Sequence, residues 1–303
     1  MNINLLNKNY GAPGTIDFKK GQGGMPVISI SNDSANALIS LFGGQILSYR
    51  VVGEIQAELL FLSKKACFNA SKAIRGGIPV CWPWFGQDPE GLLRPNHGFA
   101  RNTFWNVAKA EMISNAETTV TLQLPSRSIN ENDWAHAFDL SLVITVGKTL
   151  AVKLTTRNTG KSAFSITEAL HAYFSVGDIR KTRILGLENT LYYDKLDNSR
   201  QKKQSAAITI AEEVDRIYKA VQKHLIIEDT ANKRRIRIAS LGSQMAIVWN
   251  PWKESTAKLA DLEADDYQHF LCVETANTAP DAITIQPGHE HRLQVCYEIL
   301  QET

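Results

Sequence analysis

Apolar and polar positions along this chain change over within a few residues, and turn formers mark the breaks. Between Val27 and Phe61 the apolar segments VISI, ALISLF and QILSYRVV are separated by SNDSAN and by Gly43-Gly44. Such punctuation predicts successive antiparallel strands. The pattern continues through 118–124, 138–146, 150–156 and 164–174, with breaks at Pro125, Gly147 and Asn158 to Gly160. Further strand-like runs cover 224–227, 235–239, 245–249, 270–273, 282–285 and 292–299. These are too many strands for one flat sheet. A large antiparallel protein must stack its sheets or close a barrel to manage their edges, so the pattern predicts an all-β, antiparallel β-sandwich. Helical signals are few: 255–263, with Ser255 as its N-cap, and one turn over 71–74. The GQGG at 21–24 lacks a following Lys-Ser/Thr and does not join a strand to a helix, so it reads as a loop.

At 303 residues the length alone permits two domains, but all-β architectures run to this size as one. The expectation is one sandwich domain over 1–303, with the first ~25 residues peripheral. A 44% hydrophobic share supports a sizeable core, and a formal net charge of +2 argues against a nucleic-acid or membrane surface. The basic runs Arg200 to Lys203 and Lys233 to Arg237 have no interleaved aromatics and read as solvated faces. Cys67, Cys81, Cys272 and Cys296 form no CxxC pair, which suits buried thiols in a reducing compartment. Neither a secretory leader pattern nor an apolar run of membrane-span length is present in the sequence. The expectation is a cytoplasmic monomer that acts on a small molecule.

Candidate chemistry concentrates in RGGIPVCWPWFG, from Arg75 to Gly86, and NHGFAR, from Asn96 to Arg101. Bare glycine backbone beside Arg75 allows close approach of a ligand. Trp82, Trp84 and Phe85 offer pocket walls, and Arg75, Asn96, His97 and Arg101 offer donors to hydroxyl or phosphate oxygens. The same residues also read as core packing and solvated arginines. In FSITEALHAYF, Glu168 and His171 lie among apolar neighbours, three apart, so a regular strand points them to opposite faces. Each is either paired in the core or functional. Glu274 ends the apolar run HFLCVE, where a strand passing into a loop would place a partly desolvated carboxylate at a pocket mouth. Together His171 and Glu274 would supply an acid and a base. Asp215, in EVDRIY, says little by itself. His289 and His291 have a spacing that can ligate a metal, but no third ligand is evident.

Taken in order, RGGIPVCWPWFG, NHGFAR, TEALHAYF, EVDRIY, VWNPW and CVE resemble the hexose-6-phosphate mutarotases of the aldose 1-epimerase superfamily, over about Gly43 to Glu298. The resemblance implies a galactose-mutarotase-like sandwich with few short helices, acting on a sugar phosphate with no cofactor and no metal. It implies His171 and Glu274 as catalytic groups. It also implies Arg75 and Arg101 as contacts to the substrate and its phosphate, Asp215 as a binder of sugar hydroxyls, His97 as a lining residue and Asn96 as a substrate contact. The chemistry implied is anomer exchange, with Glu274 as base and protonated His171 as acid on opposite sides of the ring. Two rival readings stay open: a carbohydrate-binding sandwich without catalysis, and a cupin-like metal enzyme built on His289 and His291.

Overall fold

A computed structural model describes residues 1–53, 58–126, 129, 134–219, 221 and 224–301. The last two positions of the span expected for the domain lie outside the described residues. Two large sheets stack as a β-sandwich. One runs, strand by strand, 208–209, 182–185, 224–229, 234–241, 290–301, 149–158, 138–146, 117–124 and 106–114. The other runs 200–203, 191–194, 214–218, 245–250, 270–277, 168–170 and 80–81, with 173–175 also pairing to 270–277. A four-stranded sheet made of 16–20, 26–31, 35–40 and 45–51 completes the core. All the ladders between these strands are antiparallel.

Period-two burial explains why these segments are strands. Phe138, Leu140, Leu142, Ile144 and Val146 are all buried and alternate with partly or fully exposed residues. They form one face of a sheet that must be covered. Leu150, Val152 and Leu154 on the neighbouring strand do the same. The strand Phe270–Asn277 differs, being buried at every position. Leu271 and Val273 enter the core between the sheets, while Phe270 and Cys272 pack with Tyr173 and Leu262 on the other face. That second face, roofed by loops, is where Glu274 projects.

The two sheets are joined by large side chains. Trp82 is fully buried, its ring 4.6 Å from Phe138 and its indole N–H donating to Thr156 Oγ1 at 3.0 Å. Phe174 meets Tyr297 at 5.4 Å. Arg234 corrects one sequence expectation: the basic run at 233–237 is not wholly solvated. Arg234 is 0% exposed, paired with Asp229 at 3.2 Å and donating to the carbonyls of Glu58 and Ser175. Strand alternation turns Arg234 inward and leaves Arg235 and Arg237 outside, on Glu228 and Glu298. A buried guanidinium keeps its charge only with such partners. Arg234 thereby ties the larger sheet to the strand Tyr173–Ser175.

The helical expectations are also corrected. The helix near Ser255 spans Trp252–Thr256, and Ser255 lies inside it, donating to Glu213, instead of capping a longer one. After Thr256 the chain continues in tight turns, through Leu259 N–H to the Thr256 carbonyl and Leu262 N–H to the Leu259 carbonyl. This course brings Asp261 to Arg75 and Leu262 into the cluster with Tyr173. Residues 71–74 form bends and no helical turn. A helix not foreseen, Ile3–Tyr10, is capped by Asn2 and packs Ile3, Leu6 and Tyr10 against the core. It has no fully buried residue, whereas Ile16 and Phe18 of the next strand are buried. Within the first 25 residues burial is confined to Ile16, Phe18 and Met25.

Candidate active site

Strand register builds the site. Residues directly opposite on neighbouring strands share a face, and two such rows cross the smaller sheet. One is Asp215, Trp249, Cys272, Tyr173; the other is Tyr193, Ile217, Ile247, Glu274. Glu168, Ala169 and Leu170 pair with Asn277, Ala276 and Thr275, and Tyr173 pairs with Cys272, so His171 lies opposite Glu274. The expected strand 164–174 is in fact three short pieces, 164–166, 168–170 and 173–175. At the gap His171 N–H donates to the Pro79 carbonyl and Tyr173 N–H to the Gly77 carbonyl, so this edge bends onto the RGGIP segment.

His171 Nε2 lies 3.3 Å from Glu274 Oε1, and the two side chains are 9% and 1% exposed. His171 Nδ1 and Glu274 Oε2 are buried without hydrogen-bond partners. Burial, followed by the neighbouring His97, Arg101 and Arg75, pushes the His171 imidazole well below its ordinary range. Burial, followed by nearby Asp215, pushes Glu274 well above the usual carboxylate range, against a smaller opposing pull from Arg101. Both shifts favour the neutral forms, a carboxyl group beside a neutral ring. The geometry differs from the expectation in one respect, since the two groups touch each other instead of facing across a ring, and the direction of the His171 shift runs against a protonated imidazole in the free site. Glu274 also sits within its strand and not at its end, because Thr275 to Asn277 continue the ladder against 168–170 and 245–246.

A cavity of about 840 Å³ opens over the pair. Arg75, Asn96, His97, Arg101 and Asp215 all line it along with His171 and Glu274, so every expected site residue converges there. Arg75 lies 3.2 Å from Asp261 through Nε and donates to Tyr173 Oη at 2.9 Å. Among the described residues Arg101 donates once, to the Asn96 carbonyl at 2.8 Å, and its Nε is buried without a partner. Asn96 thus anchors Arg101 through its backbone. His97 Nδ1 accepts from Gly86 N–H at 3.3 Å, and burial with Arg101 and Arg75 lowers its pKa to about 3. The ring is neutral, with Nε2 as its donor. Burial pushes Asp215 up to about 6, against Lys195, which lowers it.

Trp82 and Trp84 are not pocket walls. Both are buried, and Trp84 donates to the Pro95 carbonyl with Arg94 stacked over its ring at 4.3 Å. The aromatic lining comes from Phe85, Tyr173, Tyr193 and Trp249. Gly76 and Gly77 serve the fold and not a ligand. At φ 112° and 64°, a Cβ on either would meet the Phe61 or Ile46 carbonyl oxygen at 2.4 or 2.2 Å. Glu168 faces the opposite way from His171, as its spacing predicts, and meets His291 at 3.2 Å. His291 Nε2 also lies 3.3 Å from Asn277 Oδ1, and His289 is exposed outside the strand. Among the described residues no group of three His, Cys, Asp or Glu side chains converges as a metal site. Sequence reasoning missed Tyr173, Trp249, Tyr193 and Lys195. Tyr173 carried a signal, since it stands two positions after His171 in a strand-like run.

Residues 26–298 match the family described as aldose 1-epimerase. The chain belongs to the aldose 1-epimerase family. A Cenchrus ciliaris protein provisionally named glucose-6-phosphate 1-epimerase is 38% identical over 265 residues, covering 84% of this chain and 79% of that one. An Escherichia coli K12 protein with the same provisional name is 34% identical over 253 residues, 83% of each chain. A solved structure from Salmonella typhimurium, provisionally described as a mutarotase, superposes with a TM-score of 0.89 at 28% identity, covering 98% of this chain and 99% of that one. The sandwich expected from strand punctuation is thus the mutarotase fold of aldose 1-epimerases. None of the helices among the described residues is long and apolar enough to cross a membrane.

Proposed function

We propose that this aldose 1-epimerase family member exchanges the α and β anomers of a hexose 6-phosphate, glucose 6-phosphate foremost, by opening and reclosing the hemiacetal. The observation that carries this reading is the contact between His171 and Glu274, each with an unpartnered polar atom, beside two arginines in one cavity. The provisional names of the relatives point to the phosphorylated sugar.

Ring opening needs a proton removed from the C1 hydroxyl and one delivered to the ring oxygen. Both oxygens are bonded to C1, so an acid and a base that touch each other can reach both from the same side. Burial is the main cause that holds His171 neutral, and a phosphate dianion beside Arg75 and Arg101 offsets the positive field that adds to it. The shared proton then moves to the imidazole and leaves Glu274 as carboxylate. Glu274 takes the hydroxyl proton, His171 gives its proton to the ring oxygen, and the C1–O5 bond breaks to an aldehyde. Rotation about C1–C2 and the reverse transfers close the other anomer. Each positioned proton transfer contributes about 10² to 10⁴ in rate. His97 Nε2–H adds a neutral donor beside the pair, and Asp215 accepts from sugar hydroxyls.

Exchange NMR on freshly dissolved α-glucose 6-phosphate tests the proposal. Catalytic amounts of protein should speed the approach to anomeric equilibrium. An unchanged rate with saturable sugar binding would replace it with the carbohydrate-binding reading. Asp215 provides a pH test. With its pKa near 6, it is a carboxylate acceptor above that pH and a carboxyl group below it. KM for glucose, which carries no phosphate to titrate in this range, should therefore rise as pH falls through about 6. In Asp215→Asn that limb should vanish, with KM about tenfold higher at neutral pH, as expected for one lost hydrogen bond to a charged group.

A further inference from the structure

Tyr173 joins the cationic end of the cavity to the proton-transfer pair. Its hydroxyl accepts from Arg75 at 2.9 Å, while its ring lies parallel to the His171 ring, with centroids 4.8 Å apart at 10°. Behind Arg75, Asp261 holds Nε at 3.2 Å and also meets Lys72 at 3.6 Å. Trp249 and Phe270 brace the Tyr173 ring, edge-on at 6.0 Å and tilted at 5.4 Å. Tyr173 is 2% exposed, and Arg75 keeps only 22% of its side-chain surface. The arrangement is a continuous packed line from Asp261 through Arg75, Tyr173 and His171 to Glu274. Asp261, Arg75, Tyr173 and His171 are each met by two neighbours along this line.

We infer that Tyr173 is a positioning and specificity-determining residue: its hydroxyl fixes the Arg75 fork toward the substrate's anionic group, and its ring fixes the plane of the His171 imidazole. The two roles reside in different atoms of one side chain, so they separate by substitution. The inference rests on the proposed phosphate role of Arg75. A guanidinium held by one carboxylate and one phenol oxygen has lost its rotamer freedom before the ligand arrives, so less ordering cost is charged to binding. A ring stacked on the imidazole likewise leaves Nε2 aimed at Glu274.

The test measures kcat and KM of wild type, Tyr173→Phe, Tyr173→Leu and Asp261→Asn with glucose 6-phosphate and with glucose. Tyr173→Phe keeps the ring and removes the hydroxyl. It should raise KM for glucose 6-phosphate about five- to tenfold and lower the preference for the phosphorylated sugar, with kcat little altered. Asp261→Asn, which leaves Tyr173 in place, should shift the same ratio in the same direction. Tyr173→Leu removes the stack and should lower kcat on both sugars. A Tyr173→Phe enzyme that retains the wild-type preference, or loses kcat equally on both sugars, overturns the inference. A wild type with no preference for the phosphorylated sugar instead overturns the phosphate reading beneath it.

Discussion

Replacing Glu274 with glutamine should lower kcat for anomer exchange by about 10² to 10⁴, the span for loss of one positioned proton-transfer group. The substitution keeps the shape of the side chain and removes its ability to hold or release a proton. Glu274 is 1% exposed and lies between Ile247 across the sheet and His171, with its second oxygen unpartnered beside the cavity. Glutamine can still meet His171 Nε2, so the fold and sugar binding should persist and KM should change little. Exchange NMR at several substrate concentrations separates the two parameters. A variant with wild-type kcat would remove Glu274 from the chemistry. The wild-type pH profile provides a parallel check, because the active pair carries one proton. A second proton arrives only at the depressed His171 pKa, so kcat should hold as pH falls through the ordinary histidine range. The remaining proton leaves at the raised Glu274 pKa, which sets the alkaline limit.

Arg101→Ala should weaken use of glucose 6-phosphate far more than use of glucose. Arg75 is already compensated by Asp261 and engaged by Tyr173, whereas among the described residues Arg101 donates only to the Asn96 carbonyl and keeps a buried, unpartnered Nε. It has more donor capacity to give to a dianion. A charge-assisted hydrogen bond contributes about 1.5–3 kcal/mol, so kcat/KM for the phosphorylated sugar should fall about 10- to 150-fold. Parallel kcat/KM measurements on both sugars decide it, and equal losses would overturn the phosphate role of Arg101. Some loss on glucose is expected, because Arg101 also acts on the ionisation of His171 and Glu274.

Much of the architecture was legible because strand signals are local. Alternation at 138–146 and 150–156, and breaks such as Gly147, follow from side chains that point to opposite faces in turn, and the structure keeps those segments as strands. The misread elements have causes of another kind. The run at 255–263 has helical composition, but Asp261 is drawn to Arg75 and the helix stops at Thr256. Arg234 reads as a surface residue until Asp229 and two carbonyls enclose it. Trp82 and Trp84 look like sugar platforms, yet Trp82 fills the space between the sheets, Trp84 packs against Arg94 and Pro95, and Tyr173 and Trp249 face the cavity instead.

From the residue pattern follows the all-β class, and from the resemblance of the motifs to a known family the short roster of His171, Glu274, Arg75, Asn96, His97, Arg101 and Asp215. Tertiary structure alone decided that His171 and Glu274 touch in a buried setting, and that Tyr173 stands between His171 and Arg75. Residue periodicity fixes which way a side chain points from its own strand. The pairing of 168–170 and 173–175 with 270–277 is a register between distant segments, set by the packing of the whole sheet and encoded in no local pattern.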